Sequence, residues 1–202
     1  SYALETVPRY TSYPTAAQFH AGIGEPDQRA ALSRLTAADP LSLYVHVPYC
    51  RALCWYCGCH TSVLNDDARI ARYAVRLTRE AEMLAEAAAG RGGPVRHLHF
   101  GGGTPTILAP QDFARLIGRL RELFPFAGDA EIAVEIDPRT LEPAMIAALA
   151  EAGVNRVSLG IQDVSEEVQA LVNRIQPIES VALAVDRLRR AGIGRINVDL
   201  MY

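Results

Sequence analysis

All four cysteines of this 202-residue chain lie within ten residues of one another. They are Cys50, Cys54, Cys57 and Cys59, which gives the spacing C-x3-C-x2-C followed by one more cysteine two positions later. No cysteine elsewhere in the sequence could pair with them, and disulfide frameworks spread their cysteines through small secreted domains. Four thiols this close together, directly after the apolar run 43–47, instead predict a loop that wraps a metal centre.

The spacing leaves two kinds of metal centre open. Three thiolates at C-x3-C-x2-C can hold three irons of a cubane cluster, since soft thiolate ligands select iron–sulfur or zinc. Zinc would take four ligands, and Cys59 or His60 could supply the fourth. Zinc ligands usually come as two separated pairs, however, and the sequence has no second pair. The pattern therefore favours iron–sulfur, with one iron left open to a small molecule.

A glycine run, Gly101-Gly-Gly-Thr-Pro105, lies between a predicted strand and a predicted helix. Consecutive glycines let a backbone approach a ligand closely and expose its N–H and C=O groups. The run by itself is also typical of a tight turn between a strand and a helix. Beside the cysteine loop, it favours binding of a small molecule.

Polar residues follow the later predicted strands. Glu135 ends one of them, where its carboxylate could accept hydrogen bonds from ribose hydroxyls or form an ion pair at the rim of the sheet. Individually unremarkable polar groups lie near the next strand ends: Gln162, Arg174 and Asp199. Three histidines lie in predicted strands, and we expect ordinary core or rim positions for them: His46, His97 and His99.

The elements that must position these residues alternate between strand and helix five times. The predicted strands cover residues 42–47, 95–100, 131–136, 156–161 and 195–202. The predicted helices cover residues 66–89, 110–123, 143–152, 165–172 and 178–191, and a shorter one precedes them at about 26–35. An internal repeat of helix stop, tight turn and strand links residues 152–159 to 191–198. This alternation predicts an α/β fold with a parallel sheet and helical crossovers.

Crossovers that keep turning one way give a barrel or part of one, although periodicity alone does not exclude a doubly wound open sheet. In either fold, functional groups gather at the carboxyl ends of the strands. At or near these strand ends lie the cysteine loop, the glycine run, Glu135, Gln162 and Asp199. That convergence predicts a functional rather than a purely structural loop.

Composition excludes several classes of protein. Half of the residues are hydrophobic, 21% are charged and the net charge is −3, so nothing favours nucleic acid or an anionic membrane as a partner. No apolar run is long enough to span a membrane, and no signal peptide is evident. Clustered thiols fit a reducing cytoplasm. We divide the chain into an irregular arm, residues 1–40, and a barrel domain, residues 41–202.

At this point the motifs resemble a known superfamily. The cysteine spacing, with the aromatic Tyr56 before Cys57, is similar to the signature of radical S-adenosylmethionine (SAM) proteins. The glycine run resembles that superfamily's contact to the methionine amino group. A closer resemblance is to the oxygen-independent coproporphyrinogen III oxidase family. The matching segments are residues 8–15, 44–48, 57–59, 135–139, 160–163, 172–174 and 197–200.

The resemblance implies a reaction. Such enzymes oxidatively decarboxylate two propionates of coproporphyrinogen III to vinyl groups, giving protoporphyrinogen IX for haem biosynthesis without oxygen. A 4Fe–4S cluster cleaves SAM, and the resulting 5′-deoxyadenosyl radical takes hydrogen from a propionate. By resemblance, Cys50, Cys54 and Cys57 hold the cluster, and its fourth iron binds SAM. No general acid or base is implied.

The resemblance also implies roles for other residues. Contacts to the cluster-bound SAM fall to Tyr44, Gly102 and Glu135. A second SAM site would be formed by Tyr56, Gly103, Thr104, Gln162, Arg174 and Asp199. Cys59 matches a cysteine that is not a cluster ligand, and the arm 8–15 would lie near the substrate mouth. An electron donor such as a flavodoxin or ferredoxin is implied, as is a monomer at full length.

Three other interpretations stay open. A haem-binding relative on the same scaffold would usually have an aromatic residue in place of Cys59 and lack the arm 8–15. The second interpretation is another radical enzyme, such as a methyltransferase. The third is a structural zinc domain. The family continues beyond residues 199–202 with at least one more strand and a C-terminal domain. We therefore expect a partial barrel of five strands that is poorly stable or inactive alone, because the fifth strand would be an exposed edge.

Overall fold

The computed structural model describes residues 18–201, so the predicted arm at residues 8–15 lies outside the described residues. The strands are β1 (Leu41–Val47), β2 (Tyr49–Cys50), β3 (Ser62–Val63), β4 (Val95–Gly102), β5 (Phe126–Ile136), β6 (Arg156–Gln162) and β7 (Arg195–Leu200). The helices are α1 (Glu25–Ser33), α2 (Asp67–Ala88), α3 (Pro110–Leu123), α4 (Pro143–Glu151), α5 (Glu166–Leu171) and α6 (Ile178–Arg190).

Five strands form one parallel sheet in the order β1-β4-β5-β6-β7. A doubly wound sheet reverses its strand order near the middle, whereas here each strand lies beside the previous long strand of the chain. The prediction of a partial parallel (β/α) barrel with five strands is therefore confirmed. Strands β1 and β7 are the two edges of this sheet and do not pair with each other within residues 18–201.

The helices form where apolar residues recur at helical spacing. Helix α3 buries Phe113, Leu116, Ile117 and Leu120, and Pro110 occupies its first turn, where a missing N–H costs nothing. Helix α2 begins after Asp66, whose side chain accepts a hydrogen bond of 3.0 Å from the Arg69 N–H. Helices α2, α3, α4 and α6 each bury apolar residues in the core, whereas α1 buries none.

The two faces of the sheet differ in polarity. On one face the side chains are fully buried against the helices, as at Leu98, Phe100, Val134, Val157 and Leu159. Because side chains alternate along a strand, the intervening residues share the opposite face. Neighbours on that face in the sheet register are Tyr44 with His99 and Glu135 with Ser158. This polar face carries several of the predicted site residues.

The sequence did not indicate the smallest elements. The parallel pair β2–β3, at Tyr49–Cys50 and Ser62–Val63, closes the cysteine loop at its base. Single 3-10 turns at Pro105–Ile107 and Pro138–Thr140 follow β4 and β5. Elements of two or three residues have no periodicity to detect. Among the described residues, no helix is long and apolar enough to cross a membrane.

Candidate functional site

The cysteine loop is held against the glycine run by backbone hydrogen bonds. The Gly103 N–H donates to the Val47 carbonyl at 2.8 Å, and the Thr104 N–H donates to the Tyr49 carbonyl at 2.8 Å. A Cβ atom on Gly103 would lie 2.6 Å from that Tyr49 oxygen and 2.5 Å from Thr61 Oγ1. Only glycine therefore allows the end of β4 to lie this close to the loop.

The cysteine sulfurs have different neighbours. Cys54 is buried, and its Sγ accepts from Arg174 Nη1 at 3.4 Å and from Arg139 Nη2 at 3.7 Å. The Cys50 Sγ instead lies 3.3 Å from the hydroxyl of Thr104 and 3.5 Å from that of Thr61. One sulfur thus faces two cations, whereas another faces two neutral hydroxyls.

Asp137 joins the two arginines. Its carboxylate contacts Arg139 Nη2 at 2.6 Å and Arg174 Nη2 at 3.4 Å. Burial works to raise the pKa of Asp137, but the hydrogen bond from Arg139 and the charges of both arginines outweigh burial and lower it. The carboxylate is therefore held ionised, and it fixes both guanidinium groups beside Cys54.

One cleft brings the predicted residues together. Its lining includes Cys50, Cys54, Cys57, Tyr56, Gly102, Gly103, Thr104, Glu135, Gln162, Arg174 and Asp199. These residues come from the cysteine loop, from the ends of β4, β5, β6 and β7, and from the segment after α5. The carboxyl ends of parallel strands meet at one edge of the sheet, as the sequence predicts.

Tyr44 is the predicted site residue that does not line this cleft. Its ring stacks on His99, with ring centroids 5.7 Å apart, and its hydroxyl lies 3.2 Å from His46 Nδ1. His99 Nε2 in turn lies 3.0 Å from Glu135 Oε1, and Glu135 Oε2 accepts from the Gly102 N–H at 3.2 Å. Burial, and then the charge of Glu135, raise the pKa of Tyr44. Tyr44 therefore adjoins the cleft through His99 and Glu135.

The far side of the cleft is built from β6 and β7. Gln162 ends β6 with φ of 69°, in the left-handed region that is uncommon for a non-glycine residue. The Asp199 carboxylate accepts from the Ser158 hydroxyl at 2.9 Å and from Asn197 Nδ2 at 3.1 Å. These contacts leave the Asp199 side chain fixed at the rim.

Sequence reasoning gave no role to several residues of this site. His99 appeared there as an ordinary rim histidine, yet it bridges Tyr44 and Glu135. Asp137 and Arg139 belong to a matching segment, residues 135–139, but had no assigned contact. Gly160 leaves room for Arg174, whose Nη2 would lie 2.9 Å from a Cβ atom at that position. Only the Asp-x-Arg spacing at residues 137–139 could have indicated the ion pair.

The donor set fits a cubane cluster. All four cysteines are free, and three of them line the cleft at the predicted spacing, beside glycines and cations. Among residues 18–201, no three His, Cys, Asp or Glu side chains come close enough together to hold a single metal ion. A cubane holds each cysteine at a separate iron, which spreads the sulfurs more widely. Cys59 also lines the cleft, and burial, then the charge of Cys57, raise its pKa.

The fold and the cysteine site together define a class of protein. The chain belongs to the radical SAM superfamily, whose family model matches residues 44–202. Membership implies a 4Fe–4S cluster and SAM as cofactors.

The relatives are more specific. The chain is 52% identical over 202 residues to an oxygen-independent coproporphyrinogen III oxidase of Bradyrhizobium diazoefficiens, covering 100% of this chain and 45% of that protein. The solved coproporphyrinogen III oxidase of Escherichia coli, described as a radical SAM enzyme, superposes with a TM-score of 0.89 at 43% identity. That match covers 96% of this chain and 44% of the solved chain. The chain thus spans less than half the length of these relatives.

A more distant structure supports the fold alone. The protein anSMEcpe with bound AdoMet matches with a TM-score of 0.50 at 18% identity, over 79% of this chain.

Proposed function

We propose that this chain is the SAM-cleaving portion of an oxygen-independent coproporphyrinogen III oxidase. Such an enzyme converts two propionates of coproporphyrinogen III to vinyl groups and yields protoporphyrinogen IX. The observation that carries the proposal is the 52% identity, along the whole chain, to a curated protein of that name. The cleft supplies the chemical support, because the thiols and the glycine run line it together.

In this proposal Cys50, Cys54 and Cys57 hold the 4Fe–4S cluster. When bound, the cluster and SAM would supply the radical chemistry that converts a propionate to a vinyl group, with release of carbon dioxide and of one electron to an acceptor. The protein residues bind, orient and exclude water. Burial of Cys54 beneath Arg174 and Arg139 keeps solvent from one side of the cysteine loop.

The remaining residues divide between two SAM sites. Glu135 and the Gly102 backbone, with Tyr44 fixed by His99, would contact the cluster-bound molecule. Glu135 already accepts from the Gly102 N–H, so its carboxylate is aimed at the glycine run. The proposed second site takes Tyr56, Gly103, Thr104, Gln162, Arg174 and Asp199.

We further propose the setting of the enzyme. Residues 1–40 serve as the substrate-side arm and residues 41–202 as the barrel domain. A flavodoxin or ferredoxin supplies electrons, the full-length protein is a monomer, and it works in the cytoplasm, where clustered thiols stay reduced. Cys59 favours the oxidase over a haem-binding relative, which would usually carry an aromatic residue there.

The test is an anaerobic assay on the reconstituted full-length protein, because the 202 residues alone are expected to be poorly stable or inactive. Iron and acid-labile sulfide are measured first, and dithionite and SAM are then added with and without coproporphyrinogen III. We expect 5′-deoxyadenosine to form, and the porphyrinogen to lose mass as carbon dioxide leaves. Cys54→Ala should abolish both products. A chain that contains zinc without sulfide, or that binds haem without cleaving SAM, would overturn the proposal.

A further inference from the structure

The sulfur of Cys54 is the cysteine sulfur that two guanidinium groups approach. Arg174 Nη1 lies 3.4 Å from it and Arg139 Nη2 lies 3.7 Å from it. Arg174 is further tied to the Gly160 carbonyl at 2.6 Å. Arg139 has no comparable backbone anchor, and its partners in the described structure are Asp137 and Cys54.

The group carries a net positive charge. Arg139 and Arg174 each carry a positive charge and Asp137 carries a negative one, so a net charge of +1 lies beside the sulfur. The side chains of Arg174, Asp137 and Arg139 are only 9%, 10% and 20% exposed. Because charges this buried are weakly screened, they act on the sulfur more strongly than surface charges would.

We propose that Arg139, which Asp137 holds in place, sets the reduction potential of the cluster by acting on the Cys54 sulfur. This rests on the proposed function, since it requires the cluster at the three cysteines. Reduction adds one electron and hence one negative charge to the cluster. A cation and a hydrogen bond at a ligand sulfur stabilise the reduced state and raise the potential. Asp137 has two effects: it orients Arg139, and its own negative charge lowers the potential.

Variants at the two positions should therefore shift the potential in opposite directions. Arg139→Gln removes a cation and should make the potential more negative. Asp137→Asn removes the negative charge but keeps the side-chain shape and one acceptor oxygen for Arg139, so the charge effect should dominate and make the potential more positive. Simple loosening of the cysteine loop would move both variants in the same direction. The pair of variants thus separates electrostatics from structural damage.

The measurement is a potentiometric titration of the reconstituted full-length protein that contains these residues. The reduced cluster is followed by its electron paramagnetic resonance signal. At a fixed potential we expect Arg139→Gln to lower the reduced-to-oxidised ratio by roughly tenfold, which for one electron is about 59 mV. Arg139→Lys keeps the positive charge and should stay nearer to the parent. The control is Arg156→Gln, which breaks an ion pair with Glu131 at the opposite end of the sheet and should leave the potential unchanged.

Each outcome decides the matter. Shifts of the potential in opposite directions for Arg139→Gln and Asp137→Asn support the inference. Potentials equal to the parent's in both variants, or shifts of both in the same direction, overturn it. If Arg139→Gln fails to retain a cluster, Asp137→Asn carries the test alone, and a potential at or below the parent's overturns the inference. A parent chain that holds no cluster overturns the proposed function as well. A parent cluster whose potential ignores both residues overturns only this inference.

Discussion

Gly103 is the residue at which the glycine run and the cysteine loop come closest. An alanine methyl there would lie 2.6 Å from the Tyr49 carbonyl oxygen, and a backbone atom cannot swing aside. We expect Gly103→Ala to lower the free energy of unfolding of the apo-protein by about 1–3 kcal/mol, the usual cost of overpacking. Urea denaturation measures this directly.

The matched control is Gly118→Ala. Gly118 lies within α3, and a Cβ atom there would meet nothing within 4 Å. Alanine should raise the free energy of unfolding by roughly 0.5–1 kcal/mol, because it has the higher helix propensity. Equal stability of both variants would show that the contact between Gly103 and Tyr49 is not restrictive.

Asp137 gives the stability a predictable pH dependence. Its pKa is lowered on folding from an ordinary value of 3.8, so its contribution is fully present above that value. The contribution is lost as pH falls through the lowered pKa of the folded state. At pH 7, Asp137→Asn should cost about 3 kcal/mol, because two buried arginines lose the negative charge that they share. Urea unfolding from pH 7 down to pH 3 measures the parent and the variant side by side.

The difference between parent and variant should shrink as the pH falls below about 4, since the parent then loses the same charge. A difference that stays constant across this range would mean that Asp137 acts through its shape and not its charge.

Among the elements, the segment after α5 anchors the cysteine loop. Asn173 Nδ2 donates to the Leu53 carbonyl at 2.8 Å, and the Trp55 N–H donates to the Val172 carbonyl at 3.0 Å. Asn173 also has φ of 53°, which asparagine tolerates better than alanine does. Hydrogen bonds between residues far apart in sequence thus hold this segment against the cysteine loop.

We expect Asn173→Ala to lower the free energy of unfolding by about 2 kcal/mol and to loosen the loop. Asn173→Gly loses the hydrogen bond but keeps the backbone conformation, so its loss should be smaller. Trp55 is the single tryptophan of the chain and lies in the loop, so its fluorescence anisotropy reports loop motion. Anisotropy and stability that match the parent in both variants would refute this anchor.

How far the sequence predicts these elements depends on their length. Helix α3 occupies the predicted residues 110–123, because a long apolar stripe with a proline start leaves little choice. Strand β5 starts at Phe126, before the predicted start at residue 131. Residues 126–130 do not alternate between apolar and polar side chains, so the sequence does not indicate a strand there. The position of the cleft could be predicted, because the carboxyl ends of parallel strands meet at one edge of the sheet. The contacts of Arg139 and His99 could not be predicted, because they depend on side chains brought together by the sheet.

At the scale of the whole molecule, β7 is one of the two edge strands of the sheet that the described residues form. Val198 and Leu200 of β7 are 45% and 59% exposed. A strand edge with apolar side chains is prone to pair with other chains. We expect the double variant Val198→Lys, Leu200→Lys to reduce concentration-dependent association, measured by light scattering after gel filtration. Val75→Lys on the exposed side of α2 is the control and should change association less.

A bound cluster would join parts of the chain that are far apart in sequence, because the cysteine loop contacts β4, the segment after β5 and the segment after α5. Ligand that binds only the folded state stabilises it, so reconstitution should raise the midpoint of thermal unfolding. Cys54→Ala removes a proposed ligand beneath two arginines and should abolish both the visible absorbance of the cluster and this gain. Cys59→Ala should keep both, since Cys59 is the exposed cysteine outside the proposed ligand set. Anaerobic absorbance spectra and melting curves of the two variants measure this. Equal loss in both variants would return Cys59 to the ligand set and leave no iron open for SAM.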